Sequence, residues 1–174
     1  MISRSKKEKE EIGRKASIEG FANELIACGI LMKEFKNVSL VDLPLSTYDI
    51  VIVTQDNEQN DIFIRVQVKT AKHAVSFTGG TRGGVDRTYK SDVKTYKQSQ
   101  KTSDIVAGLH EHSPGKYDLF IVPTILIDQI KQKSISISKI SGLKNNYELI
   151  PICKDQVEMS KKLNELRTSK GIDC

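Results

Sequence analysis

The chain has 174 residues, 38% of them apolar and 28% charged, a balance that reads as one soluble globular domain and excludes a disordered segment or a membrane protein. No apolar run approaches the ~20 residues that a membrane span needs, and the N-terminus "MISRSKKEKEEIGRK" has no apolar stretch behind its charges, so no secretory signal is expected there. The net charge of +5 favours an anionic partner, and three widely spaced cysteines, Cys28, Cys153 and Cys174, with no CxxC pair, point to free thiols in a reducing cytoplasm rather than to a disulfide framework or a zinc site.

Residues from about Lys7 to Glu34 read as one long helix, because Ile12, Ala16, Ala22, Ile26 and Ile30 recur at helical spacing. At about 100° per residue, Glu19 falls inside this apolar arc, near Ile12 and Ile26, whereas Glu24 falls away from it. "VSLVDLP" follows as a short strand stopped by Pro44. "YDIVIVTQD" and "DIFIRVQVKTAK" are two strands joined across "NEQN" as a hairpin. In the second strand Ile62, Ile64, Val66 and Val68 face one side, and Phe63, Arg65, Gln67 and Lys69 face the other. The first is apolar on both faces after Asp49, as a central strand should be.

From Ser76 to about Gln100 the periodicity is lost, and the segment reads as a loop followed by a short helix or turn. Between Arg82 and Lys101 it gathers Arg82, Arg87, Lys90, Lys94, Lys97 and Lys101 against Asp86 and Asp92, a local concentration of positive charge that suits phosphate contact. "SDIVAGLHE" and "YDLFIVPT" make a second hairpin around "HSPGK". "ILIDQIKQK" is a short helix, "SISIS" an edge strand, and "KDQVEMSKKLNELRTSK" a terminal helix. No fixed-period repeat is present. The order of elements predicts an α/β or α+β fold, a mixed central sheet flanked by helices, in a single domain spanning 1–174.

Three polar residues break the apolar logic of the first hairpin: Asp49, Gln67 and Lys69. Each alone reads as a strand cap or an edge residue facing water. Together they are harder to place by chance, because a buried charge costs several kcal/mol unless it is paired or metal-bound. Residues two apart on a strand project from one face, so Gln67 and Lys69 point together. Hairpin pairing brings Asp49 beside them. A carboxylate and an amide carbonyl are hard oxygen ligands suited to Mg²⁺, and a neighbouring lysine can position or deprotonate water, the equipment for phosphodiester hydrolysis.

The "YDIVIV" and "VQVKTA" elements, in this order after a long helix with an inward acid, resemble the PD-(D/E)xK nuclease superfamily, which includes type II restriction endonucleases, Holliday-junction resolvases and some homing endonucleases. The resemblance runs from about Ile12 to Pro123. It departs from the pattern at Tyr48, where proline is usual, and at Gln67, where the family usually has Asp or Glu. It implies a restriction-endonuclease-like fold and a Mg²⁺-dependent (or Mn²⁺-dependent) endonuclease acting on double-stranded DNA. Glu19, Asp49 and Gln67 would hold the ion, Lys69 would serve the hydrolytic water, and Glu24 is the alternative helical acid. A double-strand cut implies a homodimer, a partner subunit or sequential nicks. A type II restriction enzyme is the first reading. A resolvase or homing-type nuclease is the second, and a non-catalytic DNA-binding module on the same scaffold is a third.

Other features are weighed on their own. "TGGTRGG" lacks the spacing of a P-loop and reads as a flexible turn or a DNA-contacting loop. In that loop Arg82 and Arg87 would reach bases or phosphates, Lys90, Lys94 and Lys97 the backbone, and Tyr89 and Tyr96 would bind phosphate or anchor the segment. His110 and His112 form an HxH without a third ligand, and His73 follows the hairpin motif. Asp118 is a rival acid, preceded by tyrosine as Asp49 is.

Overall fold

The structure, a computed structural model, describes residues 6–43, 46–56, 58–79 and 95–174. Helix α1 spans Lys6–Glu34 and is followed by strands β1 (Asn37–Leu40), β2 (Ile50–Gln55) and β3 (Asp61–Thr70). Three short strands come next, β4 (Ala74–Ser76), β5 (Thr78–Gly79) and β6 (Tyr96–Lys97), and then the second hairpin, β7 (Ile105–Ser113) and β8 (Lys116–Pro123). Helix α2 (Thr124–Gln129), strand β9 (Ser134–Ser136), three 3-10 turns between Ile137 and Leu149, and helix α3 (Gln156–Thr168) complete the chain. Among the described residues no helix is long and apolar enough to cross a membrane.

The main sheet has five strands in the order β1-β2-β3-β7-β8. All pairings are antiparallel except β3 with β7, which is parallel, so the sheet is mixed, as the order of elements predicted. The ten residues of β3 lie at its centre, and Ile64, Val66 and Val68 are buried there together with Ile50 and Ile52 of β2 and Ile105, Val106 and Ala107 of β7. Helix α1 packs on β1, β3 and β7, with Ala27 and Leu31 fully buried. Its other end does not pack in this way: no described side chain from Glu8 to Phe21 is buried.

Polar contacts fix the registers. Asp56 Oδ1 accepts the N–H groups of Glu58 (2.8 Å) and Asn60 (2.9 Å), closing the β2–β3 turn through an Asx geometry. The parallel joint is clamped by buried Asp104, whose carboxylate accepts the Arg65 backbone N–H (2.8 Å) and the guanidinium at Nε (3.1 Å) and Nη2 (2.8 Å). Asp155 caps α3 by accepting the N–H groups of Val157 and Glu158, both at 2.9 Å.

The segment read as loop followed by helix or turn differs where it is described. β4 pairs with β9, and β5 pairs with β6, so extended ladders flank residues 80–94. The predicted first strand also stops at Leu40, short of Pro44. Gly108, opposite Lys69 in the parallel joint, shows how tightly β4 covers the sheet: a Cβ there would lie 2.5 Å from Val75 Cγ2. Valine is stiff at χ1 and is fully buried here, so it has little freedom to move aside. Gly108→Ala is expected to lower unfolding free energy by about 1–3 kcal/mol through overpacking, measured by chemical denaturation.

Candidate active site

Asp49 is the residue just before β2, and the backbone holds it in place. Its N–H donates to Val66 O (2.9 Å), and its carbonyl accepts Val41 N–H (2.8 Å). The carboxylate turns into the sheet, where Oδ2 accepts the Val68 N–H at 2.7 Å and a hydrogen bond from Gln67 Nε2. With Ile50 facing Val66 across the hairpin, this is the juxtaposition of Asp49 and Gln67 that strand pairing predicts.

The Gln67 amide joins this carboxylate to a buried polar chain. Its Nε2 also donates to Val68 O (3.2 Å), and its Oε1 accepts from Gln98 Nε2 (3.2 Å). Gln98, fully buried, in turn accepts from the hydroxyls of Thr102 and Ser103. Tyr96, hydrogen-bonded to Gln98, lies within the field of Asp49, and its ring fills the space where a Cβ on Gly79 would sit. Tyr96 thus packs on Gly79 of β5, at the last described residue before the Gly-rich segment.

Lys69 lies two residues beyond Gln67, with its ammonium in the field of Asp49 and of Glu24. Burial shifts all three groups toward their neutral forms. Burial raises the Asp49 pKa, against the opposing pull of the Val68 N–H and the Lys69 charge. Burial lowers that of Lys69, while the charges of Asp49 and Glu24 resist the shift. The Glu24 carboxyl is pushed up to about 7, first by burial and then by the Asp49 charge, with Lys69 acting the other way. Two carboxyls and one ammonium thus share a poorly solvated patch, the kind of coupling that concentrates at functional sites.

Of the two helical acids that the sequence offers, α1 brings Glu24, the alternative, to this cluster, and not Glu19. The apolar residues Ile12, Ala16, Ala22, Ile26 and Ile30 misphase the helix. The buried stripe is Ala27, Cys28 and Leu31, and Glu24 extends it by one turn at i−3, i−4 and i−7. Small Ala27 and Cys28 let the helix approach the sheet, while Ile12 stays 49% exposed. Glu19 is carried to a separate cleft of about 680 Å³ that Asn23, Thr70, His73, His110 and Tyr117 also line.

The remaining predicted residues are placed as follows. Lys97 donates its ammonium hydrogens to the carbonyls of Ile127 (2.6 Å) and Ile130, so it caps the C-terminus of α2 instead of standing free for phosphate. Arg82, Arg87, Tyr89, Lys90 and Lys94 lie outside the described residues. Asp118 is buried and bound by Lys144 (3.1 Å), Asn145 (2.9 Å) and His112 (3.0 Å), a structural anchor away from the Asp49 cluster. The HxH pair divides its work, since His110 Nδ1 lies 2.8 Å from the Ala71 carbonyl while His112 serves Asp118. Among the described residues no group of three or more His, Cys, Asp and Glu side chains is arranged to hold a metal ion.

The ionisation of Glu24 sets a pH dependence with a definite sign. A carboxyl whose folded pKa lies above its unfolded value binds its proton more tightly when folded. The stability of the metal-free chain is therefore expected to fall as pH rises from the ordinary 4.5 to about 7. Melting temperatures measured in a chelator at stepped pH check this. Glu24→Gln should flatten the profile in that window.

No protein-family model matches the chain, and no curated protein matches it. Among solved structures it is similar to the bacterial homing endonuclease I-Ssp6803I, at 16% identity and a TM-score of 0.47, over 93% of this chain and 98% of that one.

Proposed function

We propose that this chain is a metal-dependent DNA endonuclease with its active site at Asp49, Glu24, Gln67 and Lys69. The observation that supports the reading is the meeting of two raised carboxyls and a lysine beside the Asp49–Gln67 contact, at the point where "YDIVIV" and "VQVKTA" resemble the PD-(D/E)xK nucleases. The donor set fits a hard divalent ion. Mg²⁺ keeps several waters and accepts one or two carboxylates with neutral oxygens, here Glu24 and Asp49 with Val68 O as the neutral donor; Gln67 would join as a ligand once its amide turns Oε1 from Gln98 toward Asp49. A bound Mg²⁺ or Mn²⁺ supplies Lewis acidity and lowers the pKa of water. Asp49 is oriented for binding by the Val68 N–H. Lys69 Nζ, its proton loosened by burial, is suited to accept a proton from the attacking water or to neutralise charge on the phosphoryl oxygens. In-line attack on phosphorus then releases the 3′ oxygen.

The finer role proposed is site-specific cleavage of double-stranded DNA, as in a type II restriction enzyme, with a homing-type nuclease or junction resolvase sharing the same chemistry. Incubation of the chain with mixed-sequence DNA and Mg²⁺ or Mn²⁺, followed by sequencing of the ends, tests both levels. One recurring cut sequence supports site-specific cleavage, preference for four-way junctions supports a resolvase, and intact DNA with every metal overturns the enzyme.

A second reading is favoured by one contact. The Gln67 amide donates to Asp49 Oδ2 and so occupies an oxygen that a metal ion would need, which suits a DNA-binding module without cleavage. A carboxylate at this position would add the negative charge that the amide lacks. Gln67→Glu is therefore expected to lower the half-maximal Mg²⁺ concentration for cleavage about tenfold, read by metal titration of the nicking rate. A nicking rate that stays at zero in both wild type and Gln67→Glu would favour the module.

A further inference from the structure

Four apolar side chains on α1 face solvent: Ile18 (71% exposed), Phe21 (59%), Leu25 (47%) and Met32 (55%). At about 100° per residue they fall within an arc of about 60°. Ile18, Leu25 and Met32 repeat at intervals of seven, and Phe21 follows Ile18 by three, the spacing of a helix that pairs with another helix.

We propose that this stripe joins two copies of the chain, with α1 running antiparallel to its counterpart across a two-fold axis at Leu25. A symmetric interface must be self-complementary. In this register Ile18 meets the partner's Met32, and bulky Phe21 meets the partner's Gly29. At Gly29 an added Cβ would find no atom within 4 Å, so a large side chain has room to enter. The exposed side chains offer roughly 500 Å² per copy, and the pair would bury roughly 1,000 Å², the lower bound for a specific interface. Nucleic acid is the poorer occupant. From Ala16 to Glu34, the stretch over which the two helices overlap, the sequence holds one basic and three acidic residues, a balance that does not draw a polyanion.

The pairing requires neither metal nor DNA, so it stands or falls apart from the nuclease reading. If both hold, Glu24 sits beside the seam on the same helix, and one helix pair carries two active sites, one for each strand of a duplex.

Light scattering and sedimentation equilibrium on the full chain, without metal or DNA, from about 5 to 200 µM, test the proposal. The mass of the wild type is expected to climb toward twice 19.5 kDa. Leu25→Lys and Phe21→Lys are expected to stay at 19.5 kDa with unchanged far-ultraviolet circular dichroism. In a Cys174→Ser background, Leu25→Cys should cross-link to itself under mild oxidation, and Ile18→Cys should not. A wild type that stays at 19.5 kDa throughout, lysine variants that pair as well as wild type, or equal cross-linking at both cysteine positions would each overturn it.

Discussion

Asp49→Asn is expected to reduce DNA cleavage by at least about 10³-fold while leaving the fold intact. The size follows from the position of the carboxylate. It is the acidic group that the hairpin itself supplies to the cluster, and its Oδ2 is aimed by the Val68 N–H at 2.7 Å. Asparagine keeps the shape and an acceptor for that N–H, so the buried donor is not orphaned. What disappears is the negative charge that a divalent ion needs. Glu24 would remain as a single carboxylate in a half-buried setting, and relief of its repulsion by Asp49 should bring its titration below about 7. Nicking of supercoiled DNA in Mg²⁺ reads the loss, thermal denaturation reads the fold, and a gel shift in chelator reads DNA binding. Cleavage within tenfold of wild type, in a variant that folds and binds, would move the chemistry elsewhere.

The second large effect is expected at Lys69. Lys69→Met preserves most of the apolar stem and removes the ammonium, and cleavage should fall about 10²- to 10⁴-fold with little change in DNA affinity. The variant has a signature that simple destabilisation would not produce. Lys69 draws the Glu24 pKa downward, so its loss should raise Glu24 above about 7, seen as a shift in the carboxyl titration by NMR. Cleavage should also lose whatever part of its alkaline dependence comes from the lysine, whose own pKa is depressed by burial. An unchanged rate would leave Lys69 as a charge-balancing residue for the two acids.

Much of this site was legible in the sequence because hairpin geometry is local. Alternation places Gln67 and Lys69 on one face, and pairing across a short turn brings Asp49 to them, with Ile50 opposite Val66. The helical acid was harder. Counting apolar residues favoured the isoleucine arc, but packing selected the side with small residues, Ala27 and Cys28, which are the ones buried. A search for i, i+3, i+4, i+7 around those small residues would have found Glu24. Gln98 carried no signal at all. It lies in a segment with no periodicity, and its burial depends on the β5–β6 ladder, which only the folded chain reveals. Lys97 shows the complementary error, since a lysine in a basic run was read by its charge, whereas the open carbonyls ending α2 determine its role.

The parallel joint between β3 and β7 has a kinetic consequence. Each hairpin, β2–β3 and β7–β8, can close on itself over a short turn, but their union must wait for the long stretch from Thr70 to Ile105 to fold back. Loop-closure entropy makes such non-local contacts late. Asp49, Gln67 and Lys69 would then be assembled early in one hairpin, and the Arg65–Asp104 clamp would close later, when the two halves dock.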